Sequence, residues 1–409
     1  MNVLVISPLV PAPTSGARNR VYHVLKVLSS QHSVSLLILD DSYAQNLSES
    51  VSHLETFLRT VQLIDLPAAL PKRWSQLLGL LRGKPSVLTS HILPTMQQAL
   101  DRLFASQRFD VVQYEGVHIA NYRLPDDVKV IIDQHNLEFE IRLRTYQRSK
   151  GWTRKWYNWL EGHLLKRVEI ERCRKADAIL VTSERERKIL QHYLPENLIR
   201  VVPNGVDCEA FGMQSAGREI ANRVIFTGAM DYYPNADAVC FFAQHCWPFI
   251  RERLPEATWQ IVGKNPLPEV SKLAELPGVL VTGSVPDVRP YLAVASVAIA
   301  PLHIGSGTRL KILEAFAMRR AVVSTSIGCE GLSVEVGKHL LIADEPVAFA
   351  QAVITLLQQA EQRQALGIAG RALVESTYNW KQCCQPLLLL LEEMESIIYE
   401  RQKTIHRLV

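Results

Sequence analysis

The run Ile304-Gly305-Ser306-Gly307-Thr308-Arg309-Leu310-Lys311-Ile312-Leu313-Glu314 sets two glycines, a hydroxyl, two cations and a carboxylate in close succession. Gly305 and Gly307 flank Ser306 just before Thr308, which can cap the amphipathic segment that follows. Several backbone N–H groups would then converge at a helix N-terminus, where negative charge is favoured. Arg309 and Lys311 add two positive charges, and Glu314 supplies a carboxylate able to accept both hydroxyls of a vicinal diol such as a ribose. Diphosphate, cations and diol together suggest a nucleotide sugar. The plainer reading is a glycine loop entering a buried helix, since Leu310, Leu313 and Ala317 have core spacing. That reading accounts for those three residues and leaves Arg309, Lys311 and Glu314 unexplained.

A second group lies in the first half of the chain. His135 follows the strand-like Val130-Ile131-Ile132-Asp133, at the carboxyl edge where open α/β sheets bind ligands. A neutral imidazole there could hydrogen-bond a sugar hydroxyl or position an acceptor. The alternative is a structural histidine capping the helix from Leu137, although Asn136 already fits that cap. Glu115 and His118 follow another strand, Asp110–Tyr114, and could line the same cleft. Glu138 and Glu140 equally suit a solvated first helical turn. After the first strand stands Pro11-Ala12-Pro13-Thr14-Ser15-Gly16-Ala17-Arg18 in place of the Gly-x-Gly-x-x-Gly of a dinucleotide-binding dehydrogenase. Gly16 could let the backbone approach a phosphate or acceptor, or simply turn into a helix over 17–29. No metal is expected, because no Asp-x-Asp occurs and Asp40-Asp41 and Asp126-Asp127 lack accompanying ligands.

These residues need a scaffold, and the apolar, β-branched runs supply one. Strands are predicted at 3–7, 34–39, 61–66, 110–114, 128–133, 178–182 and 200–203. The alternation restarts after Asn204-Gly205 at 223–227, 258–262, 278–281, 297–300 and 321–324. The fold class is α/β, two Rossmann-like, doubly wound parallel-sheet domains in tandem. A terminal amphipathic helix is predicted from about Lys381 to Arg401. The 409 residues suit two domains of about 200 residues each.

Composition narrows the function classes. A formal net charge of +4 gives no sign of nucleic-acid binding. Seven cysteines, with no Cys-x-x-Cys, argue for a reducing cytosol and against a disulfide framework or zinc site. The N-terminus reads as a first strand and not as a signal peptide, and no apolar run reaches membrane-spanning length.

The Ile304–Met318 signature resembles the donor-binding segment of retaining family 4 glycosyltransferases, the group 1 sugar transferases of GT-B fold. The resemblance extends over nearly the whole chain. It takes in Pro8 to Gly16 with Arg18, Asp133-Gln134-His135-Asn136, Pro203-Asn204-Gly205-Val206-Asp207, Phe226-Thr227-Gly228-Ala229-Met230, Val262-Gly263 and Gly283-Ser284-Val285. Met230-Asp231-Tyr232-Tyr233-Pro234-Asn235 with the signature is similar to the exopolysaccharide-associated branch.

The resemblance implies an acceptor-side domain over 1–203 and a donor-binding domain over 204–380 facing it across a central cleft. The helix of about 381–409 would return to the first domain, with Tyr378-Asn379-Trp380 marking the crossing. It implies transfer from a UDP- or GDP-linked sugar to a polysaccharide or lipid-linked glycan with retention of configuration. His135, Arg309 and Lys311 would be catalytic, and Gly16, Gly228, Gly305, Ser306, Gly307, Thr308 and Glu314 would bind the donor. Two departures stand out. The family's usual Gly-Arg pattern is replaced by Gly228-Ala229, moving the cations into the signature, and Ser306 stands where the first glutamate of the usual Glu-x7-Glu pair would be. The missing glutamate also keeps open a non-catalytic partner of a polysaccharide assembly complex, beside a GT-B nucleotide-sugar epimerase.

The segment 142–175 interleaves cations such as Arg154, Lys155, Lys166 and Arg167 with Tyr146, Trp152, Trp156, Tyr157 and Trp159. Such a stretch can attract an anionic membrane surface, which would make the enzyme cytoplasmic and peripheral on the inner face of the membrane. It equally fits a solvated long helix packed by its tryptophans. Lys72-Arg73-Trp74 through Arg82 and Lys84 is a second such stretch.

Overall fold

Apolar runs without polar alternation must be covered on both faces, and parallel sheets flanked by helices do this. The computed structural model describes residues 1–13, 16–39, 47–64, 83, 85, 94–148, 151–212, 219–304 and 309–408. The stretch from Lys72 to Lys84, apart from Gly83, lies outside them, as do Gly305, Ser306, Gly307 and Thr308 of the signature. The chain divides into two units, Met1–Pro203 with Cys384–Val409 and Asn204–Cys383.

The first unit holds strands β1 (Asn2–Ser7), β2 (Ser33–Leu39), β3 (Thr60–Ile64), β4 (Val111–Glu115), β5 (Lys129–Gln134), β6 (Ala178–Val181) and β7 (Leu198–Val201). They form one sheet in the order β3-β2-β1-β4-β5-β6-β7, every pairing parallel. The second unit holds β8 (Arg223–Thr227), β9 (Thr258–Val262), β10 (Val279–Gly283), β11 (Val297–Ala300), β12 (Ala321–Ser324) and the two-residue β13 (Leu341–Ile342). Their order is β10-β9-β8-β11-β12-β13, again parallel throughout. Strand order reverses at β1/β4 and at β8/β11, where open sheets present a crevice at their carboxyl ends. At β8/β11 it is visible: pairing stops at Ala298↔Ile225, and the parted strand ends face Lys311.

The terminal helix differs from the single element expected. A short helix Trp380–Cys383 precedes a long one, Gln385–Leu408. Pro386 explains the interruption, because it has no N–H to continue a preceding helix and is tolerated in the first turn of a new one. Leu387, Leu388, Leu390 and Leu391 are buried. Within the first unit, Arg200 reaches Glu393 at 3.2 Å and the amino group of Met1 reaches Glu395 at 3.4 Å.

An ion pair inside the first unit ties its strand β5 to a helix. Arg20, on the helix Gly16–Leu28, is 1% exposed and grips Asp133 of β5 with two bonds, Nε to Oδ2 at 2.9 Å and Nη2 to Oδ1 at 2.8 Å. Its Nη1 donates to the carbonyl of Val202 at 2.8 Å. Removing one partner of such a pair strands a buried charge and costs about 3–5 kcal/mol. Arg20→Leu should therefore lower the unfolding free energy measured in urea by that order, and the midpoint with it. An unchanged midpoint would show that Asp133 finds another partner.

Candidate functional site

In the second unit the site is built where β8 and β9 end. An added Cβ on Gly263 would fall 1.6 Å from the carbonyl oxygen of Gly228, so only glycine permits this approach. Gly228 itself has φ 152 and leads into the helix Tyr233–His245. That helix carries Asn235 in its first turn, whose Nδ2 donates to the Ala229 carbonyl at 2.9 Å. Fixed in this way, the carboxamide turns its oxygen to Lys311 and accepts from Nζ at 2.8 Å.

Lys311 belongs to the helix Leu310–Ala317, which carries the signature. Its ammonium lies 3.7 Å from the centroid of the Phe226 ring and 3.3 Å from where a Gly228 Cβ would stand. Among the described residues it makes no ion pair; its partners are a neutral amide and an aromatic face. Burial pushes its pKa well below the ordinary lysine value, and the neighbouring Arg309 guanidinium lowers it further. Arg309 is 8% exposed and its Nη2 donates to the Ile327 carbonyl at 3.4 Å. Two cations side by side in a low-dielectric site are an arrangement that an anion would stabilise.

Glu314, on the same helix, is half-buried, and its carboxylate makes no hydrogen bond or ion pair among the described residues. Burial pushes it up to about 7, the Lys311 ammonium pulling only part of the way back. The helix is held from behind by close packing. A Cβ on Gly367 would meet the Arg319 carbonyl oxygen at 2.2 Å, and one on Gly370 would meet the Phe316 ring at 2.5 Å. Leu313 and Ala317 are fully buried as their spacing predicts, while Leu310 is half-buried.

The structure thus brings Gly228, Lys311, Arg309 and Glu314 into one neighbourhood of the second unit. Asn235 and Gly263 were not among the expected site residues. Both sit in the quoted motifs, and their signal was position: an asparagine opening a helix, and a glycine ending a strand, directly after the switch-point strand and its neighbour.

The first unit holds the other cluster at its own switch point. Gly16, with φ 60, opens the helix that follows β1. Glu115 ends β4 and is 1% exposed. Its Oε1 accepts from Gln113 Nε2 at 2.7 Å, and its Oε2 lies 2.7 Å from His135 Nε2. Glu115, Asp133 and His135 offer three ligand atoms within 4.8 Å of one another, a spacing that could suit a metal ion. Yet both Asp133 oxygens bind Arg20 and both Glu115 oxygens are taken by Gln113 and His135, so the carboxylates are already engaged within the protein. His118 lies in the turn Val117–Ile119, folded over Gly116, whose added Cβ would meet its ring at 2.6 Å. Glu140 is not simply solvated, since it pairs with Arg185 and Arg144. Nor is Glu138: burial raises its pKa, and it lies half-buried beside Glu169, a buried carboxylate that accepts from the Phe139 N–H at 3.2 Å.

Known proteins resemble this chain over nearly its full length. A profile described as Glycosyltransferase Family 4 matches residues 14–210, and one described as Glycosyl transferases group 1 matches residues 221–359. A 44.6 kDa protein of the cps region of Klebsiella pneumoniae, itself uncharacterized, is 22% identical over 93% of this chain and 97% of its own length. Among solved structures, sucrose-phosphate synthase from Thermosynechococcus elongatus superposes with a TM-score of 0.72 at 16% identity, covering 97% of this chain and 100% of its own. Anabaena HepE, solved in complex with UDP-glucose, superposes with a TM-score of 0.66 at 13% identity, covering 96% and 100%. The architecture is therefore that of a GT-B glycosyltransferase. Glycosyltransferase family models thus match each of its two units, the group 1 model the second.

Two outcomes follow from the donor-side geometry. Gly263→Ala should push Gly228 away from Lys311 and weaken UDP or GDP binding in calorimetry by at least tenfold, about 1.4 kcal/mol; equal affinity would show that strand spacing does not set the site. The pH dependence has a definite sign. Glu314 is protonated below about 7, so affinity for the nucleotide ribose should fall as pH drops through that value. Affinity should fall again as rising pH strips the proton from Lys311. Glu314→Gln should flatten the acid limb, and a limb left intact would assign it to another group.

Proposed function

We propose that this protein transfers a hexose from a UDP- or GDP-linked donor to a growing polysaccharide or lipid-linked glycan, with retention of anomeric configuration and without a divalent metal. One observation carries the reading: a half-buried lysine and a buried arginine lie side by side, with a carboxylate on the same helix that makes no hydrogen bond or ion pair among the described residues. A nucleoside diphosphate satisfies all three at once. Lys311 and Arg309 neutralise the diphosphate, and Glu314 accepts the ribose hydroxyls. The Anabaena HepE complex with UDP-glucose and the Klebsiella cps-region relative support the donor and the polysaccharide setting respectively.

Glycosyl transfer breaks the bond between the anomeric carbon and the diphosphate oxygen, and its electrons pass to the leaving phosphate. The main task of the protein is to stabilise that growing negative charge, which fixed cations in a low-dielectric site do without reorganising. The acceptor oxygen bonds to the same face of the sugar, and its proton passes to the departing diphosphate. His135, held by Glu115, is placed at a strand end to orient sugar or acceptor hydroxyls.

Calorimetry against UDP, GDP, ADP and dTDP, with EDTA and then with magnesium, tests the donor half. Binding of one nucleotide, unaffected by EDTA and weakened by at least ~1.5 kcal/mol in Lys311→Ala, is the expected result. No nucleotide binding would refute the reading, and a strict need for magnesium would refute its metal-free form. Proton NMR of the first product formed tests the stereochemical half: an inverted anomer would exclude the front-face path.

A further inference from the structure

The helix Trp152–Lys175 is turned inside out relative to an ordinary surface helix. Its inward face carries Asn158, Glu161, Glu169 and Arg172, all buried, beside Leu165 and Cys173. Two of those polar groups are anchored: Glu169 accepts from Gln134 at 2.9 Å, and Arg172 donates to the carbonyls of Val117 and His118 at 2.7 and 2.9 Å. Its outward face carries the tryptophans. Trp152 is 81% exposed, Trp156 55% and Trp159 42%, at the i, i+4, i+7 spacing of one helical stripe. The same stripe continues through His163 and Arg167, and past the buried Ile170 it ends at Arg174, exposed again, over about 33 Å of helix. Packing by the tryptophans is thus excluded as the reason for this composition.

Charge completes the pattern. Of the helix's acids, Glu161 and Glu169 are buried and Glu171 is paired with Lys175 at 3.2 Å. The exposed stripe therefore presents indole rings followed by guanidinium groups, and the one exposed acid beside them, Glu171, is paired with Lys175. No hydroxyl, amide or carboxylate interrupts the tryptophans on the stripe, so the polar contacts that orient a sugar chain are missing. An apolar and cationic stripe on a convex helix matches a bilayer with anionic headgroups, where tryptophan prefers the interfacial layer and arginine the phosphate. Among the described residues no helix is long and apolar enough to cross a membrane.

We propose that the outward face of the Trp152–Lys175 helix docks on an anionic lipid surface, its tryptophans entering the headgroup layer and Arg167 and Arg174 contacting lipid phosphates. The proposal does not depend on the donor site, which lies in the other unit.

The test is cosedimentation of the full chain with phosphatidylcholine vesicles, alone or with roughly one-third phosphatidylglycerol, read together with tryptophan emission. The parent should bind the mixed vesicles, with a blue shift and a loss of binding at high salt. The variant Trp152→Ala/Trp156→Ala/Trp159→Ala should partition at least roughly tenfold more weakly. Arg167→Glu/Arg174→Glu should do the same while keeping the tryptophans, and circular dichroism establishes that both variants are folded. Failure of the parent to bind mixed vesicles would overturn the proposal, as would equal binding by either folded variant. An emission shift with a soluble acidic polysaccharide but not with vesicles would overturn it in favour of a glycan track.

Discussion

A lysine ammonium held away from water must be met by something, and in this protein it is met by a neutral amide and an aromatic ring. That constraint organises the carboxyl edge of the second sheet. Asn235 must present its oxygen, so its nitrogen must be tied to Ala229; Gly228 must lack a side chain so that the ammonium can lie against it; Gly263 must lack one so that Gly228 can sit where it does. Each of these residues does little alone. Together they keep a positive charge destabilised and poised, at the one point where the strand order reverses.

The first unit solves the opposite problem. There the buried Arg20 and Asp133 satisfy one another, and Glu115 is held by Gln113 and His135. Such a network rigidifies the ends of β4 and β5, and it gives the His135 ring a fixed address. The two units therefore differ in charge: in one, neighbouring cations are left without an acid pairing Lys311 among the described residues, and in the other a buried arginine and aspartate are paired.

Much of the fold was legible because buried parallel strands are written as short apolar runs. All twelve expected strands are present, displaced by no more than about two residues, and only the two-residue Leu341–Ile342 carried too little pattern to be read. Pro386 breaks a helix that hydrophobic periodicity alone draws as continuous. For the site, charge and spacing marked Arg309, Lys311 and Glu314, but not the carboxamide that receives Lys311, because Asn235 is 76 positions away. The same distance problem hid the carboxylate of Glu169 at the start of the helix Glu138–Arg148. The Trp152–Lys175 helix is ambiguous for a different reason. Apolar and polar residues lie on both of its faces, so periodicity could not say which face points inward.

The division of the chain has a consequence for its synthesis. The second unit, Asn204–Cys383, is contiguous, and its two ends lie together: Gly205 packs against Trp380, and Val206 donates to the Tyr378 carbonyl at 2.8 Å. The first unit is not contiguous, since it needs the leucines of the Gln385–Leu408 helix. A ribosome delivers these parts in order, N-terminal first. The later-made unit can therefore close on itself while the earlier-made one still waits for its last helix, with the apolar surface that this helix covers left open. Birth order and completion order are reversed in this chain, and the final helix acts as a latch that closes the half begun first.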